Sequence, residues 1–98
     1  MADRVFIHRG TTFRWDELKA QQNLQKHGIA FEEAVTVFDD PLLVLEDASR
    51  NEEKRDAVIG FSSNGRLLTV VHIEVAYEYI RIISARRASS AEEAIYVE

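Results

Sequence analysis

Ile59-Gly60-Phe61-Ser62-Ser63-Asn64-Gly65-Arg66-Leu67-Leu68-Thr69-Val70-Val71 is the stretch from which the fold can be read outward. Two apolar, β-rich runs flank Asn64-Gly65, a dipeptide whose backbone preferences suit a tight hairpin turn. The runs extend to strands over 55–62 and 66–75. A further strand fits 79–85, and another fits 42–46, with 47–53 a polar loop between it and the hairpin. Upstream the period changes to that of helices. Asp16 suits an N-cap, the segment through His27 is rich in helix formers, and Gly28 suits the position just past a helix end. Phe31, Ala34, Val35 and Phe38 share one face of a second helix over 31–38, ended by Asp39-Asp40-Pro41. Ala30 is a poor cap, so fraying is expected there. Downstream, Ser89-x-x-Glu92 and Ser90-x-x-Glu93 are overlapping capping boxes that predict a final helix from about Ser90. Residues 5–8 and 12–15, on either side of Gly10, are compatible with two short strands or one frayed arm. The expected fold is α+β. It has two N-terminal helices, a mainly antiparallel four-stranded sheet to which a short N-terminal strand could add, and a C-terminal helix.

Ninety-eight residues suit one domain over 1–98, with 1–12 as an N-terminal extension. The absence of cysteine excludes disulfides and thiolate metal sites. His8, His27 and His72 lack the spacing of a ligand set, so neither a metal nor a cofactor is expected. No apolar stretch approaches the roughly 20 residues of a membrane span, and no run near the start resembles a secretory signal. The cytoplasm is the expected compartment, with no membrane partner. A formal net charge of −5 opposes diffuse nucleic-acid binding, so any RNA contact must come from a local basic patch.

Such a patch stands in Ile80-Arg81-Ile82-Ile83-Ser84-Ala85-Arg86-Arg87-Ala88. It reads as a buried strand with one arginine inside it and two at its exit. A guanidinium is costly to bury unless it meets an anion, and phosphate matches its planar, bidentate donors. The alternative is an Arg81–carboxylate pair that only holds the sheet together. Two-residue loops at Asn64-Gly65 and Ala76-Tyr77 would pair Ala57 with His72, Arg55 with Glu74, Glu74 with Tyr79 and His72 with Arg81. That register puts Arg55, His72, Glu74, Tyr79 and Arg81 on one face at one end of the sheet. Phosphodiester cleavage needs such a set: a base, an acid, and cations for the charged transition state. Cross-strand pairing on a solvated sheet end is the alternative. On the first helix, Lys19, Asn23, Lys26 and His27 form one stripe, either a solvated face or a phosphate-tracking one. The helix–Gly28–helix layout suggests a DNA-reading unit, but the second helix is acidic, so no direct DNA binding by the chain alone is expected.

At this level of detail the chain resembles the BrnT family, the toxin half of bacterial type II toxin–antitoxin modules with a RelE-like fold. The likeness runs from about Phe13 to Tyr96. It is carried by Phe13-x-Trp15-Asp16-x-x-Lys19, Asn23-x-x-Lys26-His27-Gly28 and Phe31-x-x-Ala34-x-x-Val37-Phe38-x-Asp40. It continues through Glu53-x-Arg55, Gly60, Gly65-Arg66-Leu67-Leu68, Ile80 through Arg86, then Glu93 and Tyr96. The resemblance implies a ribonuclease that inhibits translation and is neutralised by a BrnA-like antitoxin, whose own domain binds the operator. The family's polar positions fall on Lys19, Lys26, His27, Arg55, Glu74, Arg81 and Arg86. The chain departs from the family at Val75, where an arginine is common, in the segment before Ile80, and in its N-terminal extension.

The expected activity is metal-independent RNA endonucleolysis by 2′-hydroxyl attack. Arg55 and Arg81 would stabilise the charge, protons would be exchanged among His72, Glu74 and Tyr79, and Lys19, Lys26, His27, Arg86 and Arg87 would hold RNA phosphates. The alternative is a catalytically weak or inactive module that captures an antitoxin and contributes to operon repression. In either case Arg55, Arg81, Arg86 and Arg87 would meet acidic groups of the antitoxin, with Phe61, Leu68 and Ile83 as an apolar anchor.

Overall fold

Arg9 and Gly10 account for the first departure from the expected architecture. Both take positive φ, 50° and 82°, the conformation of a two-residue primed hairpin turn. The turn folds 5–8 and 12–15 into a hairpin, β1 (Asp3–His8) and β2 (Thr11–Asp16), with His8 opposite Thr11. The computed structural model describes residues 2–98. After the hairpin come α1 (Glu17–His27), α2 (Phe31–Val35) and a 3-10 turn over Thr36–Asp39. Then follow β3 (Val44–Asp47), β4 (Asp56–Phe61), β5 (Leu67–Val75), β6 (Tyr79–Arg87) and α3 (Ser90–Val97). The six strands form one sheet in the order β1-β2-β6-β5-β4-β3. Every neighbouring pair is antiparallel except β2 and β6, which run parallel. The expected four-stranded, mainly antiparallel sheet preceded by two helices is therefore corrected to a six-stranded mixed sheet that begins with a strand pair.

Alternation in β2 explains why the hairpin joins the sheet. Phe13 and Trp15 are buried on one side, against Phe38 and Phe31 respectively. They share the core with Val58, Leu68, Val70, Ile82 and Ala85 from the sheet and Ile29, Phe31, Ala34, Val35 and Val37 from the helical layer. Burial of side chains of this size is the main stabilising term of the fold.

The helix ends follow the local signals. Asp16 accepts the Lys19 amide at 3.1 Å, and Gly28, with φ of 70°, donates its N–H to the Leu24 carbonyl at 2.8 Å. Ala30 provides no side-chain cap. The α-helical part of the second helix stops at Val35, three residues early. There Thr36 donates its hydroxyl to the Glu33 carbonyl at 2.6 Å and the backbone tightens into the 3-10 turn. Of the two overlapping capping boxes, the one on Ser89 and Glu92 forms. Among the described residues no helix is long and apolar enough to cross a membrane.

Candidate functional site

Both hairpin loops in the second half of the chain are one residue longer than two-residue turns. Ser62 pairs with Arg66 through its N–H to the Arg66 carbonyl, and the Gly65 N–H returns to the Ser62 carbonyl at 2.9 Å. Gly65 alone of the Asn64-Gly65 pair has positive φ, 77°, so the loop is a type I turn closed by a glycine bulge. Glu33 of α2 clamps it, accepting from the Ser62 hydroxyl at 2.7 Å and from the Arg66 guanidinium. Phe61 thus faces Leu67, not Leu68, and Asp56, not Ala57, faces His72. At the next turn Ala76 and Tyr77 both adopt positive φ, but Glu78 is an extra residue and Val75 faces Tyr79. His72 therefore faces Ile82, and Arg81 faces Ile73.

A one-residue shift reverses the side on which side chains emerge. The five residues expected on one face are divided by it. His72 and Glu74 emerge on the side of the helices α1 and α2, whereas Tyr79 and Arg81 emerge on the other. Arg55 joins Tyr79 and Arg81. The Ala48 N–H bonds the Arg55 carbonyl at 2.9 Å, extending the Asp47–Asp56 register by one residue and placing Arg55 on the side of Ala57 and Ile73.

His72 is 6% exposed, its ring edge-on to Phe38 at 5.0 Å between centroids and its Nδ1 3.3 Å from the Val70 carbonyl. Burial pulls its pKa down, more than the Val70 carbonyl and the nearby Asp56 and Glu74 carboxylates raise it, so the ring is neutral at pH 7. Glu74 is exposed near the end of β5.

The second face holds the charge. Arg81 donates to Asp3 of β1 at 2.7 and 3.4 Å, and Arg14 of β2, its neighbour across the parallel pair, lies 3.7 Å from the same carboxylate. The ring of Tyr79 has the Arg14 guanidinium carbon 4.8 Å from its centroid and that of Arg81 at 6.0 Å. The hydrogen bonds to Asp3 hold Arg81 more firmly protonated, and Arg81 in turn lowers the pKa of Asp3. Arg55 is paired with Glu53 at 2.6 and 2.8 Å. Arg55, just before β4, then Ile73 of β5, Arg81 of β6 and Arg14 of β2 follow one another across the sheet, spanning about 15 Å at ordinary strand spacing.

The remaining expected residues lie apart. Lys19 and Lys26 are exposed on α1 and His27 is half-buried, but Asn23, in the middle of their stripe, points inward. Arg86 is engaged in two hydrogen bonds to Glu92, at 2.7 and 2.9 Å. That contact holds the Glu92 carboxyl down to about 2, helped by the Ser89 amide and Thr69. Arg87 is exposed at the strand exit. Through Glu92 on Thr69 and Tyr96 edge-on to Phe61, α3 occupies the end of the second face remote from Arg81. Of the expected apolar anchor, Phe61 is 46% exposed and Ile83 half-buried, while Leu68 is fully buried in the core and cannot reach a partner.

Sequence reasoning passed over Arg14. The signal was present. Arg14 stands between two large aromatics as Arg81 stands between two isoleucines, and alternation aims both away from the core.

Comparison with known proteins identifies the family. The family model described as "Ribonuclease toxin, BrnT, of type II toxin-antitoxin system" matches residues 15–92. No curated protein sequence matches the chain. Among solved structures, the 1.1 Å crystal structure of the ribonuclease toxin BrnT from Brucella abortus is similar, with 27% sequence identity and a TM-score of 0.58. The similarity covers 78% of this chain and 94% of that one. With its family match running from the core tryptophan of β2 to the capping glutamate of α3, the chain belongs to the BrnT family of ribonuclease toxins of type II toxin–antitoxin systems.

Proposed function

We propose that this chain acts in the cytoplasm as an RNA endonuclease, cutting by attack of a 2′-hydroxyl on the adjacent phosphate without a metal ion. A small BrnA-like antitoxin encoded beside it would hold it inactive. One observation carries the reading: the family match over 15–92 takes in Arg55, Tyr79 and Arg81, which emerge on the same sheet face. In-line attack builds negative charge on the phosphorus oxygens. Arg81 and Arg55 are the cations on this face within the matched segment that would stabilise it. The Tyr79 hydroxyl is the proton donor we assign to the leaving 5′-oxygen, while the attacking 2′-hydroxyl gives its proton to solvent water, from which Tyr79 is reprotonated. His72, buried and neutral on the opposite side, supports the strand and exchanges no proton with RNA. Lys19, Lys26 and Arg87, exposed at separate places, would meet flanking phosphates.

The test is cleavage of RNA by the purified protein and by a folded Arg81→Ala variant. The variant should cut about 100-fold more slowly or worse, the scale of losing one transition-state donor. A folded variant as active as the wild type would refute the assignment of Arg81.

A second reading has its own support. Arg81, Arg55 and Arg86 each already hold an internal carboxylate, from Asp3, Glu53 and Glu92. A face so neutralised suits a module that captures its antitoxin without turnover. Intact RNA after incubation with the wild-type protein, together with a stable antitoxin complex, would favour it.

A further inference from the structure

Two arginines stand side by side where β2 meets β6, Arg14 opposite Arg81. Like charges on adjacent strands repel, and the arrangement calls for an anion between them. Here the anion is Asp3. It makes both of its hydrogen bonds to Arg81 and lies 3.7 Å from Arg14. The Arg14 Nε is buried and has no hydrogen-bond partner among the described residues. Two guanidinium charges thus share a single carboxylate, and a donor is left over. The Asp3 side chain is 36% exposed. It can swing outward while β1 stays in place, because the strand is fixed by its pairing with β2 and by the Glu17 N–H bonded to the Ala2 carbonyl at 3.0 Å.

We propose that Arg14 and Arg81 form a two-cation slot for an RNA phosphate, and that Asp3 is an intramolecular occupant which the phosphate displaces. The inference rests on the reading of the chain as a ribonuclease and adds to it a second phosphate ligand and a built-in competitor. Both added residues lie outside the matched segment 15–92. Neighbouring strands place two guanidiniums at a spacing that suits the two non-bridging oxygens of one phosphodiester. The Tyr79 ring, in contact with both, limits their rotamers and pre-orients the pair. A tethered carboxylate competes at an effective concentration in the millimolar range, so free RNA must outbid it.

The probe is a 2′-O-methyl RNA oligonucleotide, which binds but cannot be cut by 2′-hydroxyl attack. Asp3→Asn should bind it about 5- to 10-fold more tightly than the wild type, the scale of removing one competing charge-assisted contact. Arg14→Ala should weaken binding, and in an Arg81→Ala background, which removes the cation that Asp3 hydrogen-bonds, the gain from Asp3→Asn should vanish. Equal affinity of Asp3→Asn and wild type, a gain that survives Arg81→Ala, or undiminished binding by Arg14→Ala would overturn the slot. A measurement on the unaltered protein covers the case in which a variant loosens β1. On titration with inorganic phosphate, the Nε–H resonances of Arg14 and Arg81 should shift together, and a shift of Arg81 alone would also overturn the slot. Cleavage of ordinary RNA by the wild type, assayed in parallel, separates the two ideas. Its absence removes the nuclease reading, whereas cleavage with unchanged Asp3→Asn affinity removes only the slot.

Discussion

Arg81 emerges between Ile80 and Ile82, and the physics of that position allowed two outcomes, a substrate anion or a structural carboxylate. The structure supplies the carboxylate, from a residue 78 positions away in the chain. That contact supports the sheet in the free protein and leaves Arg14 under-satisfied, so the one pair serves both descriptions. His72 is the contrasting case. Its folded-state pKa is depressed below the ordinary 6.5 by burial, so the unfolded chain binds the proton more readily than the native one. Its contribution to stability is therefore complete above about pH 6.5 and is lost progressively as pH falls from 6.5 toward the depressed value. Urea unfolding midpoints measured across this range should drop on acidification, and the drop should shrink in His72→Phe. The same slope in both proteins would place the titrating group elsewhere. Cleavage by the folded His72→Phe protein should stay within a few-fold of wild type, because the ring does not reach the arginine face.

At the scale of elements, the short parallel pairing is the weak seam of the sheet. β2 and β6 pair only at Phe13–Ile80 and Arg14–Arg81, which leaves the later part of β6 without a strand on that side. Asn23 of α1 fills part of the gap. Its carboxamide accepts the Ala85 N–H at 3.1 Å and donates to the Ala85 carbonyl at 2.8 Å, as a neighbouring strand would, and also donates to the Ile29 carbonyl at 2.9 Å. This explains how a helix with so few apolar residues docks: its only buried side chain is an amide. Asn23→Ala leaves three buried backbone groups without partners and should cost about 2–4 kcal/mol. The loss would be read as a lower urea midpoint at unchanged slope. A loss well under about 1 kcal/mol would mean that water takes over the amide's role.

For the whole molecule, the acidic balance and the arginine row act at different ranges. A net charge of −5 repels a polyanion at long range, while on the proposed reading Arg14, Arg55 and Arg81 would attract individual phosphates at contact. Binding of single-stranded RNA should therefore depend only moderately on salt. Three phosphates neutralised by three arginines correspond to a log–log slope of about −2. Titrations of the 2′-O-methyl oligonucleotide between low and moderate salt would measure it. A slope near zero would mean that the row does not meet phosphates at all.

Local signals in the chain determined the elements. The caps on Asp16, Gly28 and Ser89, the strand runs around Asn64-Gly65, and the need of Arg81 for an anion are all short-range facts, set by φ/ψ preferences and by the cost of a buried charge. The family blocks were equally legible. The register was not, and with it went the composition of the site. A dipeptide such as Asn64-Gly65 permits more than one hairpin loop, and the choice rests with Glu33, 29 residues before Ser62 and 33 before Arg66, which holds the two opposite each other. The N-terminal hairpin was open to two readings because a short edge pair has no stability of its own until Phe13 and Trp15 find the helices. Tertiary packing thus decided which side of the sheet each charged residue faces. It parted His72 from Arg81 and brought Asp3 and Arg14 to the site, because side-chain direction alternates with every residue and only contacts remote in sequence select between neighbouring registers.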